Sequence, residues 1–68
     1  MEIFTARFNE LLKEYNIKQS EIADYCNVSR QTINDYCKGR NYPSLPVLIS
    51  ICKFFDVTSD YMLGLKDN

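Results

Sequence analysis

The chain has 68 residues, 46% of them hydrophobic, a formal net charge of −1 and no histidine. At about 60 residues a chain buries only about 60% of its unfolded surface, so residues 1–68 are expected to form one domain around one small core. No apolar run is long enough to span a bilayer, and the amphipathic amino terminus is unlike a signal peptide, so the expected setting is cytoplasmic, away from any membrane.

The spacing predicts a first helix over 3–15. Phe4, Phe8, Leu11, Leu12 and Tyr15 form its apolar stripe, while Arg7, Glu10, Lys13 and Glu14 lie off it. A membrane-surface helix would line its polar face with Lys and Arg. Here acids match cations, so the stripe is expected to pack against other helices. Asn16 can close the helix, and Ile17 drops into the core.

A second helix is expected over 19–26, with Ile22, Ala23 and Cys26 on one face. Lys18 stands at its cap, where losing a Ser or Thr side chain costs about 1 kcal/mol. Asn27 then interrupts, and Asn tolerates the left-handed conformation that closes a helix. Val28 supplies an apolar plug, Ser29 is a good N-cap for a third helix over 30–38, and Gly39 is placed to end it. Two short helices joined so tightly form a helix-turn-helix unit.

On the third helix Ile33, Tyr36 and Cys37 should face the core. Gln31, Asn34, Asp35 and Lys38 lie opposite, with Arg30 and Thr32 on the flanks. Amides and cations are the groups that read base edges and phosphates, although an ordinary solvated helix face has a similar composition. The charge distribution adds to this. Residues 29–42 carry Arg30, Lys38 and Arg40 against Asp35, whereas the segments on either side are net acidic. An acidic body with a basic edge should hold arbitrary DNA only loosely, because nonspecific affinity comes mainly from neutralised phosphates.

Further along, Ser44 is a suitable N-cap and Pro46 falls in a first turn, where its missing N–H is harmless. A fourth helix is expected over 45–55, burying Leu45, Leu48, Ile51, Cys52 and Phe55 and leaving Ile49 and Phe54 outside. Asp56 ends it, Val57 returns to the core, and Thr58 caps a short fifth helix over 59–63. Asp60 near that start complements the helix dipole. Gly64 stops the helix, and residues 65–68 are expected to fray unless a partner holds them.

The three cysteines, Cys26, Cys37 and Cys52, lack metal-ligand spacing and fall at apolar helical positions, where Cys behaves as a small hydrophobe. No metal site and no cofactor are expected. Without histidine, a Gly-rich phosphate loop or paired carboxylates, the residues supply nothing from which to build an enzyme reaction. Ile49, Phe54, Tyr61, Met62 and Leu65 exceed what so small a body can bury. They are either scattered surface apolars, which are common, or a two-fold interface.

The segments IKQSEIA, NVSRQTINDYCKGR, PSLPVLISIC and VTSDYMLGL occur in this order with characteristic gaps. In this the chain resembles the phage-repressor/Cro-like (XRE-type) helix-turn-helix family, over nearly its whole length. The resemblance implies an all-α, compact five-helix lambda-repressor-like domain that binds double-stranded DNA as a transcriptional regulator, a repressor, with its third helix in the major groove. It implies base contacts from Arg30, Gln31, Asn34 and Asp35. Backbone contacts would come from Lys18, Gln19, Ser29, Thr32, Lys38, Arg40, Asn41 and Tyr42. It also favours the two-fold interface, hence a homodimer on a near-palindromic operator with half-sites about 34 Å apart. No small-molecule effector site is evident. Cys37 departs from the family, which commonly has an internally bonded Glu there, so the contact between the first and third helices is expected to be drier. The rival expectation is a protein-binding module of the same fold, an antitoxin or adaptor that reads no DNA.

Overall fold

The computed structural model describes residues 2–67. Five helices follow one another: α1 (Glu2–Glu14), α2 (Gln19–Cys26), α3 (Arg30–Cys37), α4 (Leu45–Phe55) and α5 (Ser59–Met62), with no strand among the described residues.

One local device ends all five. Asn16, Asn27, Gly39, Asp56 and Gly64 each adopt a positive φ, between 55° and 80°. The N–H of the next residue then reaches back to a carbonyl five positions earlier: Ile17 to Leu12, Val28 to Ala23, Arg40 to Asp35, Val57 to Cys52 and Leu65 to Asp60, at 2.8–3.0 Å. These bonds satisfy carbonyls that a helix end leaves open, and an apolar residue commonly follows into the core. Ile17, Val28 and Val57 do so here, each packing on the core's edge.

The helix starts are less uniform. Ser29 Oγ accepts from the Thr32 N–H and Thr58 Oγ1 from the Tyr61 N–H, both at 3.0 Å. Lys18 has no acceptor to offer, yet the start of α2 is not bare. Glu21 Oε1 accepts the Lys18 N–H at 3.1 Å, which is the Glu half of a capping box and offsets part of the expected loss. Ser44 occupies the cap of α4 without a side-chain bond, and Pro46 in the first turn removes one N–H that would need a partner.

The core draws on every helix: Phe4, Phe8, Leu11 and Leu12 from α1, Ile22, Ala23 and Cys26 from α2, Ile33 and Tyr36 from α3, Leu48, Ile51, Cys52 and Phe55 from α4, and Met62 from α5. Phe8 sits at its centre. Its ring lies parallel to Phe4 at 5.5 Å and meets Tyr36 and Phe55 edge-on at 6.3 and 6.4 Å.

Four expectations are corrected. Met62 is completely buried, so it belongs to the core and cannot form part of an interface with a second copy. Its helix is a single turn, and the residue that closes that turn is the one driven inward against α1 and α4. Leu45 is 75% exposed because it opens α4, and side chains in a first turn lean back toward the N-terminus, away from the body. Tyr15 lies past the end of α1 and is 55% exposed, with one ring face stacked on Phe55.

The fourth concerns residues 65–68, of which 65–67 are held rather than frayed and Asn68 lies outside the described residues. The Arg7 guanidinium donates to the carbonyls of Tyr61 and Lys66 and sits 4.3 Å above the Tyr61 ring, with Asp67 3.9 Å away. A cation at the open carbonyls of a helix end is favoured by the helix dipole. Hydrogen bonds to a charged group contribute about 1.5–3 kcal/mol. Arg7→Met is therefore expected to lower stability by about that much, read from urea unfolding. Hydrogen exchange at Leu65 and Lys66 should rise with it.

Candidate nucleic-acid interface

The position of α3 follows from what lies beneath it. Ile33 is completely buried and Tyr36 nearly so, which fixes the helix against α1 and α2 and leaves the opposite face outward. At its start the Ser29 hydroxyl both caps Thr32 and lies 2.8 Å from the Thr32 hydroxyl, so these two side chains are tied to each other. Arg30 and Gln31 on the first turn are exposed, Asn34 and Asp35 on the second are half-buried, and Lys38 at the C-cap is exposed.

Two of these side chains form one network with Arg40 of the following loop. Gln31 Nε2 donates to Asp35 Oδ1 at 2.9 Å, and Arg40 Nη1 approaches the same oxygen at 3.9 Å. The face thus contains a carboxylate already committed to an amide and facing a guanidinium. The guanidinium contact is long and its Arg40 partner exposed, so it contributes little energy. The chain leaving α3 is kept beside the second turn by the backbone, where the Arg40 N–H donates to the Asp35 carbonyl at 2.9 Å.

The expected backbone-contacting residues are distributed around this helix. Gln19 opens α2 and donates to Cys37 Sγ at 3.8 Å, a weak bond that links the start of α2 to the end of α3. Lys18 is exposed immediately before it. Arg40 and Asn41 are exposed in the loop after α3, where Asn41 Oδ1 accepts the Tyr42 N–H at 3.0 Å. Tyr42 packs its ring edge-on against Phe4 at 6.4 Å and remains 42% exposed.

Asn9 was missed by the sequence reading. Its Nδ2 donates to the Thr5 carbonyl at 2.9 Å and to the Cys37 carbonyl at 2.8 Å, bridging α1 to the open end of α3. The expectation of a drier contact there is corrected: a polar tie persists, supplied by α1. The one available signal was an Asn, a poor helix former, in the middle of a helix and off its apolar stripe. Burial pushes the thiols of Cys26, Cys37 and Cys52 above their ordinary value, so they stay protonated and apolar in character.

The helix-turn-helix family model matches residues 9–62, which include α2, α3, their turn and α4. The chain belongs to the helix-turn-helix family. Among its relatives, this helix-turn-helix chain is 38% identical over 61 residues to the HTH-type transcriptional activator BcrR of Enterococcus faecalis, covering 84% of the chain and 30% of that protein. It is 24% identical over 66 residues to the uncharacterized HTH-type transcriptional regulator YobD of Bacillus subtilis, covering 97% of the chain and 59% of that protein. An uncharacterized HTH-type transcriptional regulator of Methanocaldococcus jannaschii is 37% identical over 54 residues, covering 79% of the chain and 82% of that protein. The chain thus spans about a third of the length of BcrR and less than two thirds of that of YobD. No solved structure matches it significantly.

Proposed function

We propose that the chain is a sequence-specific double-stranded DNA-binding transcriptional regulator that inserts α3 into the major groove. The supporting observation is the outward face of α3: Arg30, Gln31 and Asn34 project from a helix whose other side is anchored by Ile33 and Tyr36. A rigid helix of this width fits the major groove, where Arg reads guanine O6 and N7 and Gln or Asn reads adenine N6 and N7. Lys18, Gln19, Ser29, Thr32, Lys38, Arg40, Asn41 and Tyr42 surround that face as phosphate contacts, which set register without reading sequence.

A homodimer on a near-palindromic site completes the proposal, with two copies of α3 about 34 Å apart. Ile49 and Leu65, 54% and 72% exposed, and the half-buried Phe54 and Tyr61 supply apolar surface for that contact. Repression is the proposed output, since a body measuring 28 × 22 × 22 Å on a promoter is sufficient to occlude it. A promoter-reporter assay decides the sign, and raised expression would assign activation instead.

The binding test is selection from a random DNA pool at fixed salt. One sequence class should be enriched. Gln31→Ala should weaken binding to that class by about tenfold or more, with thermal unfolding unchanged. A folded chain that enriches no sequence would overturn the DNA reading in favour of a protein-binding module.

A further inference from the structure

Asp35 was expected to touch a base, but it is half-buried and its Oδ1 already accepts from Gln31 Nε2 at 2.9 Å, with Arg40 Nη1 3.9 Å from the same atom. We infer that Asp35 is a positioning residue that fixes which way the Gln31 amide faces, and so restricts Gln31 to adenine. The inference rests on the proposed DNA reading and adds to it a specificity determinant one helical turn from the reading side chain.

The chemistry follows from the two ends of an amide. A Gln side chain carries an acceptor oxygen on one side and two donor hydrogens on the other. An ionised carboxylate is acceptor-only, so it holds the NH2 end and repels the oxygen end. With Asp35 in place the amide cannot turn over without setting Oε1 against a carboxylate oxygen. One hydrogen is committed to Asp35, and Gln31 presents the other hydrogen together with Oε1.

That pair matches adenine, whose N7 accepts and whose N6 amino group donates. It mismatches guanine, whose N7 and O6 both accept. An unrestrained Gln relieves that mismatch by turning its NH2 group toward both guanine acceptors. A Gln held by Asp35 has only one hydrogen left to give and keeps its oxygen facing O6. The acidic residue on an otherwise basic edge thereby acquires a role: it sacrifices some attraction to phosphate and sharpens the choice of base, a selection by exclusion of the wrong partner.

Two substitutions separate this from a plain charge effect. D35N and D35A each remove one negative charge, and the lost phosphate repulsion strengthens binding to A·T and G·C sites alike, so it cancels in the ratio of the two affinities. Asparagine can meet Gln31 with either its oxygen or its NH2 group and alanine with neither, so both also free the amide to turn over. The site enriched by the wild-type chain is compared with a copy in which the A·T pair that depends on Gln31 becomes G·C, by fluorescence anisotropy at fixed salt. The wild-type chain should prefer A·T by about tenfold or more. D35N and D35A should both reduce it to about twofold or threefold. Adding D35A to Q31A should leave the ratio of Q31A unchanged. In the free protein, the side-chain amide resonances of Gln31 should shift in D35A.

A D35A ratio equal to that of the wild type overturns the inference while leaving the DNA reading intact. So does a D35N ratio equal to that of the wild type, since asparagine does not exclude the turned amide, or unshifted Gln31 amide resonances in D35A. A folded wild-type chain that enriches no sequence overturns the DNA reading, and the inference falls with it.

Discussion

Phe8→Ala is expected to remove most of the stability of the folded chain. The ring has no exposed surface and touches three others, Phe4, Tyr36 and Phe55, drawn from α1, α3 and α4. Truncating a buried Phe to Ala costs about 3–5 kcal/mol, from lost transfer energy and from the cavity left behind. At roughly 0.05–0.15 kcal/mol per residue, a chain of this length has only about 3–10 kcal/mol in total. Urea unfolding followed by circular dichroism should show either a midpoint moved far down or a chain already unfolded in buffer. Tyr15→Ala is the matched control. That ring belongs to the same apolar stripe in sequence but is 55% exposed and rests on Phe55 by one face. Its loss should cost well under half as much, and equal losses at the two positions would mean that the core is not centred where the rings converge.

The contrast between Phe8 and Tyr15 shows how far the sequence was legible. Helical periodicity identifies which side of α1 faces inward, and the all-helical fold with five helices was readable from such stripes and from the residues that interrupt them. Periodicity says nothing about where along a stripe the body ends. Tyr15 and Leu45 both lie at an end, beyond the neighbours that would cover them. Met62 fails in the opposite sense. Its burial depends on α5 lying against α1 and α4, a long-range contact that no local pattern encodes.

The same distinction applies at the candidate interface. Which residues of α3 face outward was legible, because burying Ile33 and Tyr36 forces the choice. That Gln31 and Asp35 share a hydrogen bond was accessible in principle, since residues four apart on a helix are neighbours. Arg40 was not, because its approach to Asp35 depends on the turn made at Gly39. The ties from Asn9 to Cys37 and from Arg7 to the carbonyls of residues 61 and 66 span 28 to 59 positions, and single polar residues on a helix give no notice of such partners.

Binding to the selected operator is expected to depend steeply on salt despite a net charge of −1. The charge that matters is local: Arg30, Lys38 and Arg40 stand on α3 and the loop after it, while most of the acids lie elsewhere along the chain. If each copy in the proposed dimer covers about three phosphates, log K against log salt should fall with a slope of about −5. Raising salt from about 50 to about 200 mM then weakens binding by about a thousandfold. The slope also counts copies, since one copy alone would give about −3. Arg40→Gln removes one phosphate contact per copy and should flatten the dimer's slope by about two. Arg40 also faces Asp35 at 3.9 Å, and giving up that contact on binding DNA lowers its net gain. Lys38→Gln, with no ion pair to give up among the described residues, should therefore lose more affinity at low salt than Arg40→Gln while changing the slope equally. A slope near zero would remove the phosphate contacts from the proposal. A slope of about −3 would keep them and remove the second copy.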